Sequence, residues 1–281
     1  MNNANLKDGI LMPHLHKALT LAEIINYTPI MIPEFLERFK VEIEKYRLET
    51  IRIVAKPIQG SKSLPLTQSK FLGKPYLPLA QDYPKSKNGT PMILWAQINF
   101  EETPKLENYP TTGIFQLFVS SQEWEDMDDY KILYHKELNQ EYQTDFSFLT
   151  KELYEESPIN CEHELTFTKE VEYGGTEDFR FQLDFDGQDY YEYQETLTKD
   201  QQDEMDKLFY TVGHKIGGYA YFTQSDPRDY DENKKEDLLV LQIDTDDEIM
   251  FGDSGVMNVF LNADNLRSHN FEKAYFNWDC C

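Results

Sequence analysis

Two parts of the chain resemble each other at a fixed distance, and this limits the fold more than any other feature. Lys70-Phe71-Leu72-Gly73-Lys74-Pro75-Tyr76-Leu77 returns 145 positions later as Lys215-Ile216-Gly217-Gly218-Tyr219-Ala220-Tyr221-Phe222. The same offset aligns Ile93-Leu94-Trp95-Ala96-Gln97-Ile98-Asn99 with Leu238-Leu239-Val240-Leu241-Gln242-Ile243-Asp244. After a length difference of three residues, Gly113-Ile114-Phe115-Gln116-Leu117-Phe118-Val119 matches Gly255-Val256-Met257-Asn258-Val259-Phe260-Leu261. Three blocks in one order point to an internal duplication, with copies at about residues 66–120 and 211–262. Each copy is expected to hold an apolar strand, a turn and a second strand. Units this short bury little alone, so the copies are expected to share one core.

The periodicity agrees with strands. Ile51, Ile53 and Ala55 alternate up to Pro57, and residues 93–100 and 113–119 read as further strands. Phe179, Phe181, Leu183 and Phe185 also alternate, then Asp186-Gly187 offers a tight turn, and Tyr191 and Tyr193 resume beyond it; a hairpin is expected there. The helices fall elsewhere. Leu15, Ala18, Leu19, Ala22 and Ile25 share one helical face, and Phe35, Leu36, Phe39, Ile43 and Tyr46 share another after Pro33. Thr198 and Gln201 fit a capping box ahead of Met205, Leu208 and Phe209. The expected fold is α+β and β-dominated: an internally duplicated antiparallel β roll with N-terminal helices and one helix between the repeats. A helical segment over residues 1–49 would pack on a duplicated core over 50–281.

Several segments are similar to the YwqG-like family of bacterial proteins. They are residues 71–78, 95–100, 113–118, 214–219, 224–228 (Gln-Ser-Asp-Pro-Arg), 241–244, 251–258 (Phe-Gly-Asp-Ser-Gly-Val-Met-Asn) and 275–280 (Tyr-Phe-Asn-Trp-Asp-Cys). The resemblance runs from about the Pro33 helix to the C-terminus. It implies a β-rich roll with flanking helices. It carries over no activity and no functional residues, because the family is uncharacterised.

Charge narrows the partners. Asp and Glu number 51 against 27 Lys and Arg, a formal charge of −24. Phosphate backbones and anionic membranes repel such a surface, so neither nucleic acid nor a membrane is expected, whereas a basic protein is drawn to it. The three cysteines, Cys161, Cys280 and Cys281, form no disulfide framework. No apolar stretch approaches the roughly 20 residues of a membrane helix, and the opening residues lack a signal-peptide pattern. A cytoplasmic setting follows.

No catalytic constellation stands out. Gly252-Asp253-Ser254-Gly255 surrounds the nucleophile in chymotrypsin-like enzymes, but Val256 follows it here and no histidine has the matching context; a turn is the better account. Phosphate-binding glycine loops are absent. His14 and His16, Cys161 and His163, and Asp279 with Cys280 and Cys281 are scattered pairs without the spacing of a zinc site; Asp184, Asp186 and Asp189 lack a calcium loop, and the cluster Asp244, Asp246, Asp247 and Glu248 would hold a divalent cation only weakly. The sequence therefore leans away from an enzyme and assigns no catalytic residue, metal or cofactor. Candidate binding residues are Gln97 and Gln242, polar within apolar runs, with Tyr76, Tyr221, Asp253, Ser254 and Asn258. The expectation is a protein-binding, immunity-like module for a basic partner, with a small-molecule or enzymatic site in a groove between the repeats as the alternative.

Overall fold

The computed structural model describes residues 31–58, 60, 63–138 and 141–280. The helix expected around Leu15–Ile25 lies outside the described residues, as do His14, His16 and Cys281.

A ten-stranded sheet in the order β10-β9-β8-β7-β1-β6-β2-β3-β4-β5 forms the body of the protein. Its strands are β1 (Leu48–Pro57), β2 (Lys70–Phe71), β3 (Ile93–Asn99), β4 (Ile114–Val119), β5 (Tyr130–His135), β6 (His163–Glu172), β7 (Lys215–Gly217), β8 (Asp237–Ile243), β9 (Val256–Asn262) and β10 (Tyr275–Asp279). Neighbouring strands pair antiparallel throughout. The longest ladder is central: β1 runs along β6 from Leu48↔Glu172 to Pro57↔His163. On its other side β1 meets β7, with Arg52 opposite Lys215, while β6 meets β2, with Phe71 opposite His163. Strands β2–β5 thus form one flank of the central pair and β7–β10 the other.

The sheet curls until its edges approach. Tyr130 of β5 stands edge-on to Phe276 of β10 at 5.0 Å between ring centroids, and its hydroxyl donates to the Ala274 carbonyl. Trp124 lies 4.8 Å from Trp278, whose indole donates to the Glu125 carbonyl. The result is a half-barrel closed along one seam by side chains. Its interior holds Ile51, Ile53, Phe71, Trp95, Ile98, Phe115, Leu117, Ile216, Leu241, Ile243, Met257 and Val259 in one apolar cluster.

Strands β3, β4, β8 and β9 are buried almost throughout, because loops cover the outer face while the core covers the inner. That explains their unbroken apolar runs. On the outside, Met92, Leu94 and Phe118 form a small cluster on one flank, and Ala220, Phe222, Leu239 and Phe260 form one on the other. A bulge breaks the register between Leu94 and Ala96, and another between Leu239 and Leu241.

Three of the α-helices gather in a second apolar cluster. Leu36, Phe39 and Ile43, from the helical run Glu34–Tyr46, pack with Leu183, Phe185, Tyr190, Tyr193, Met205, Leu208 and Phe209. Helix α1 (Lys40–Ile43) is the α-helical part of that run, α2 spans Tyr190–Gln194 and α3 spans Lys199–Phe209. Thr198 caps α3 by the expected exchange with Gln201.

The hairpin expected across 179–193 is not formed. Asp186 and Gly187 do make a tight turn, both with positive φ, closed by Phe185 and Gln188 exchanging backbone hydrogen bonds. The flanking residues do not form a ladder, however. Asp189 caps α2 through a capping box with Glu192, and Tyr193 stacks on Phe185 at 4.8 Å as a helix residue. Aromatic side chains facing a helix alternate in this segment much as strand residues would, so the pattern misled. The acidic run 123–129, which charge alone would place in solvent, is only partly solvated: Trp124 plugs the seam, and buried Asp129 accepts from the Lys87 amide.

Candidate functional site

The candidate residues Gln97 and Gln242 are both fully buried on the outer face, each holding down a loop of its own flank. The Gln97 side-chain oxygen accepts from the Tyr76 amide at 2.8 Å, and its nitrogen donates to the carbonyls of Leu66 and Gln68 at 2.7 and 2.8 Å. The Gln242 oxygen accepts from the Tyr221 amide at 2.8 Å, and its nitrogen donates to the carbonyls of Thr211 and Gly213 at 2.9 and 2.8 Å. Each glutamine therefore uses its amide to pin a crossing segment whose backbone lacks a strand partner. Lys70 and Lys215, opposite them in register, are buried too. Lys215 donates to Glu172 at 2.7 Å, and burial pushes its ammonium down to about 8; burial also lowers Lys70, which is 3.6 Å from Glu162.

The next positions outward differ between flanks. Beside Gln97, Gln116 donates to the Tyr76 carbonyl at 2.6 Å and to the Gln97 oxygen at 2.8 Å. Its own oxygen is 2.9 Å from His135 Nε2, so the imidazole donates and the ladder is complete. Burial depresses His135 to about 4, which keeps the ring neutral as that ladder requires. Beside Gln242, Asn258 donates to the Tyr221 carbonyl at 2.8 Å, but no described residue donates to its Oδ1.

Asp279 takes the place that His135 takes on the other flank. A Cβ built on Gly113 would meet the His135 carbonyl at 2.7 Å, and one built on Gly255 would meet the Asp279 carbonyl at 2.3 Å. Both glycines are therefore required by the close approach of an edge strand. Asp279 Oδ2 accepts from the amides of Thr223 and Gln224 at 2.8 and 2.7 Å. Burial raises the pKa of its carboxyl, although those amides oppose the shift. Asp279 Oδ1 and the Thr223 hydroxyl are buried without a hydrogen-bond partner among the described residues.

The sequence candidates fall into two groups. Tyr221, Gln242 and Asn258 are joined directly, as are Tyr76 and Gln97. Asp253 and Ser254 lie apart, in the turn closed by the bond from the Gly255 amide to the Phe251 carbonyl; Asp253 is exposed and Ser254 has a positive φ. The sequence singles out Asp279 only beside Cys280 and Cys281 as a metal ligand, and Thr223 was missed. The available signal was the Asp279 carboxylate within the segment Tyr275–Cys280, but the hydrophobic pattern gave it no partner.

Two further polar groups are buried. Arg228 binds Asp226 and Asp178, and Arg180 also binds Asp178. Burial opposes ionisation of Asp178, but the two guanidiniums overcome it and hold the carboxyl well below its usual range. This network also accepts the Ala220 amide and fixes the Asp237 carbonyl, so its polar atoms serve the fold. At the other end of β6, Cys161 Sγ is 4.0 Å from His163 Nε2, and His214 donates to Asp246 at 3.1 Å while accepting from the Asp244 amide. Burial raises the Cys161 thiol and lowers His163, the opposite of what an activated thiolate needs. Among the described residues no group of three or more His, Cys, Asp or Glu side chains is arranged to hold a metal ion. No helix of the described residues is long and apolar enough to cross a membrane.

Residues 69–280 match the family described as Domain of unknown function (DUF1963). No curated protein matches the chain.

Proposed function

We propose, for a chain that belongs to the DUF1963 family of unknown function, that it is an interaction module whose acidic surface receives a basic protein. One observation carries this reading: the helical layer concentrates unpaired acidity. Between Thr176 and Tyr210 stand eleven acidic residues and three basic ones. Of the basic three, Arg180 is turned in to Asp178 and Lys199 is paired with Asp203. Glu192, Glu195, Asp200 and Glu204 are exposed on this layer. Such a field speeds the encounter with a cationic surface and selects against anionic ones.

A neutralising, immunity-like role suits a module of this kind, in which the partner carries the activity and the acidic face covers it. A cytoplasmic setting belongs to the same reading, supported by the free thiols of Cys161 and Cys280. So does the YwqG-like affiliation within the wider family. An internal duplication is supported by the equal offsets of the Gln97 and Gln242 clamps and of the two bulges.

The experiment is affinity capture from lysate at low and high salt, with the wild type beside a variant carrying Glu192→Lys, Glu195→Lys and Asp200→Lys. The expected result is a basic protein held by the wild type at low salt, released at high salt and not held by the variant. Equal capture by both chains removes the acidic layer from consideration. A second reading, a small-molecule site, is favoured by the unpartnered acceptors around Asn258.

A further inference from the structure

Three buried oxygens lie around the Tyr221–Gln224 turn: those of the Asn258 amide and the Asp279 carboxylate, which only accept, and that of the Thr223 hydroxyl, which can donate to Asp279 and still accept. Asn258 holds the first end of this turn through the Tyr221 carbonyl, and Asp279 holds the last through the Thr223 and Gln224 amides. In the β9–β10 register Asn258 is opposite Asn277 and Val256 is opposite Asp279. Asn258 and Asp279 are therefore diagonal neighbours on one face, within about 8 Å. Asn258 is 0% exposed, and its Oδ1, the Asp279 Oδ1 and the Thr223 Oγ1 are buried with no hydrogen-bond partner among the described residues. A buried acceptor left in this state costs on the order of 1–3 kcal/mol.

The opposite flank shows what such a place requires. There Gln116 and His135 satisfy one another, acceptor to donor. Here an amide shorter by one methylene faces a carboxylate instead of an imidazole. The pair is smaller, and it offers acceptors where the other flank offers a donor.

We propose that Asn258, Asp279 and Thr223 bind a primary ammonium group. The charge favours a cation, since Asp244 lies close enough to Asp279 to act on its charge, and Asp244's own oxygens are already engaged by the Gly213 and Thr245 amides. An ammonium presents three donors and no acceptor, which matches the Asn258 and Asp279 oxygens together with a lone pair of the Thr223 hydroxyl, whose proton serves the carboxylate. A guanidinium presents a planar fork suited to one carboxylate and matches this spread less well. Access is from the outer face beside the β5–β10 seam, where Asp279 and Thr223 are half-buried and Gln224 is exposed. The group comes from a lysine of a basic partner or from a free amine; only the first source rests on the interaction reading above.

The test is calorimetric titration of the full chain with n-butylammonium at low salt, with n-butanol as control. Saturable millimolar binding of the ammonium and none of the alcohol is expected. Asp279→Asn keeps an oxygen for the Thr223 and Gln224 amides and should weaken binding at least about tenfold, a loss of about 1.4 kcal/mol. The double variant Asn258→Gln/Asp279→His installs the opposite flank's pair but strands the Thr223 and Gln224 amides; it should melt below the wild type, no lower than Asp279→His alone, and bind no ammonium. Absence of wild-type binding up to about 100 mM, or undiminished binding by the double variant, overturns the proposal. A lysine peptide that competes with butylammonium, when its norleucine counterpart does not, assigns the site to a protein partner. Butylammonium binding lost in the double variant while basic-protein capture is unchanged supports a free-amine site and puts the docking face elsewhere. Capture abolished by the charge-reversed helical layer with butylammonium binding retained by the double variant overturns the ammonium site alone.

Discussion

His135 illustrates how one side chain ties the outer face to pH. Its imidazole is neutral in the fold, donating to Gln116, and burial holds it down at about 4 against a usual 6.5. Between those values the unfolded chain binds more protons than the folded one. Stability contributed by the neutral ring is thus intact above pH 6.5, falls as pH drops from 6.5 to 4 and is flat below. Partial exposure reduces the effect to the order of 1–2 kcal/mol. His135→Gln should consequently lose that much less stability than the wild type between pH 7 and pH 4.5 in urea melts. Equal losses would mean that the ring has the same proton affinity folded and unfolded.

Among the elements, the short strands β2 and β7 pair with their neighbours over very few residues, so the loops beside them depend on the glutamine clamps. Gln97→Ala should strand the Tyr76 amide and the Leu66 and Gln68 carbonyls, and Gln242→Ala their counterparts on the other flank. Each should cost about 2–4 kcal/mol in denaturant midpoint measurements, with an added rise in hydrogen exchange confined to the clamped loop. A loss below about 0.5 kcal/mol would show that water replaces the clamp without penalty. Much at this scale was legible in the sequence. The strands around Ile53, Ala96 and Leu117 followed from alternation and apolar runs, and the α3 cap followed from Thr198 and Gln201. The 179–193 segment was not, because Phe181, Phe185 and Tyr193 face a helical cluster at spacings that also fit a strand. The clamps were half legible: a glutamine in an apolar run announces a buried amide, but not which backbone groups it meets. Asp279 was hidden for a related reason, since its counterpart His135 lies beyond the aligned blocks and only the shared contact with a glycine reveals the correspondence.

For the whole molecule, the decisive event is closure of the sheet at a seam made of side chains. Trp124 sits among Trp95, Phe251 and Trp278, and it belongs to a loop that charge alone would leave in solvent. Trp124→Ala should cost about 3–5 kcal/mol and flatten the near-ultraviolet circular dichroism, with the far-ultraviolet signal unchanged. A loss under about 1 kcal/mol would show that the edges hold together without it. The curl itself was not legible in the sequence, since alternation reports which face is apolar and not how far a sheet bends.

The central ladder has a consequence for synthesis. Strand β1 leaves the ribosome early, yet both of its neighbours, β6 and β7, belong to later parts of the chain. Strand β2 likewise awaits β6. Until those segments emerge, the nascent chain carries open strand edges next to an apolar half-core, and pairing across such separations is slow. The chain is therefore most exposed to misassembly while it is being made, and a holding chaperone would matter more to its yield than to its finished stability.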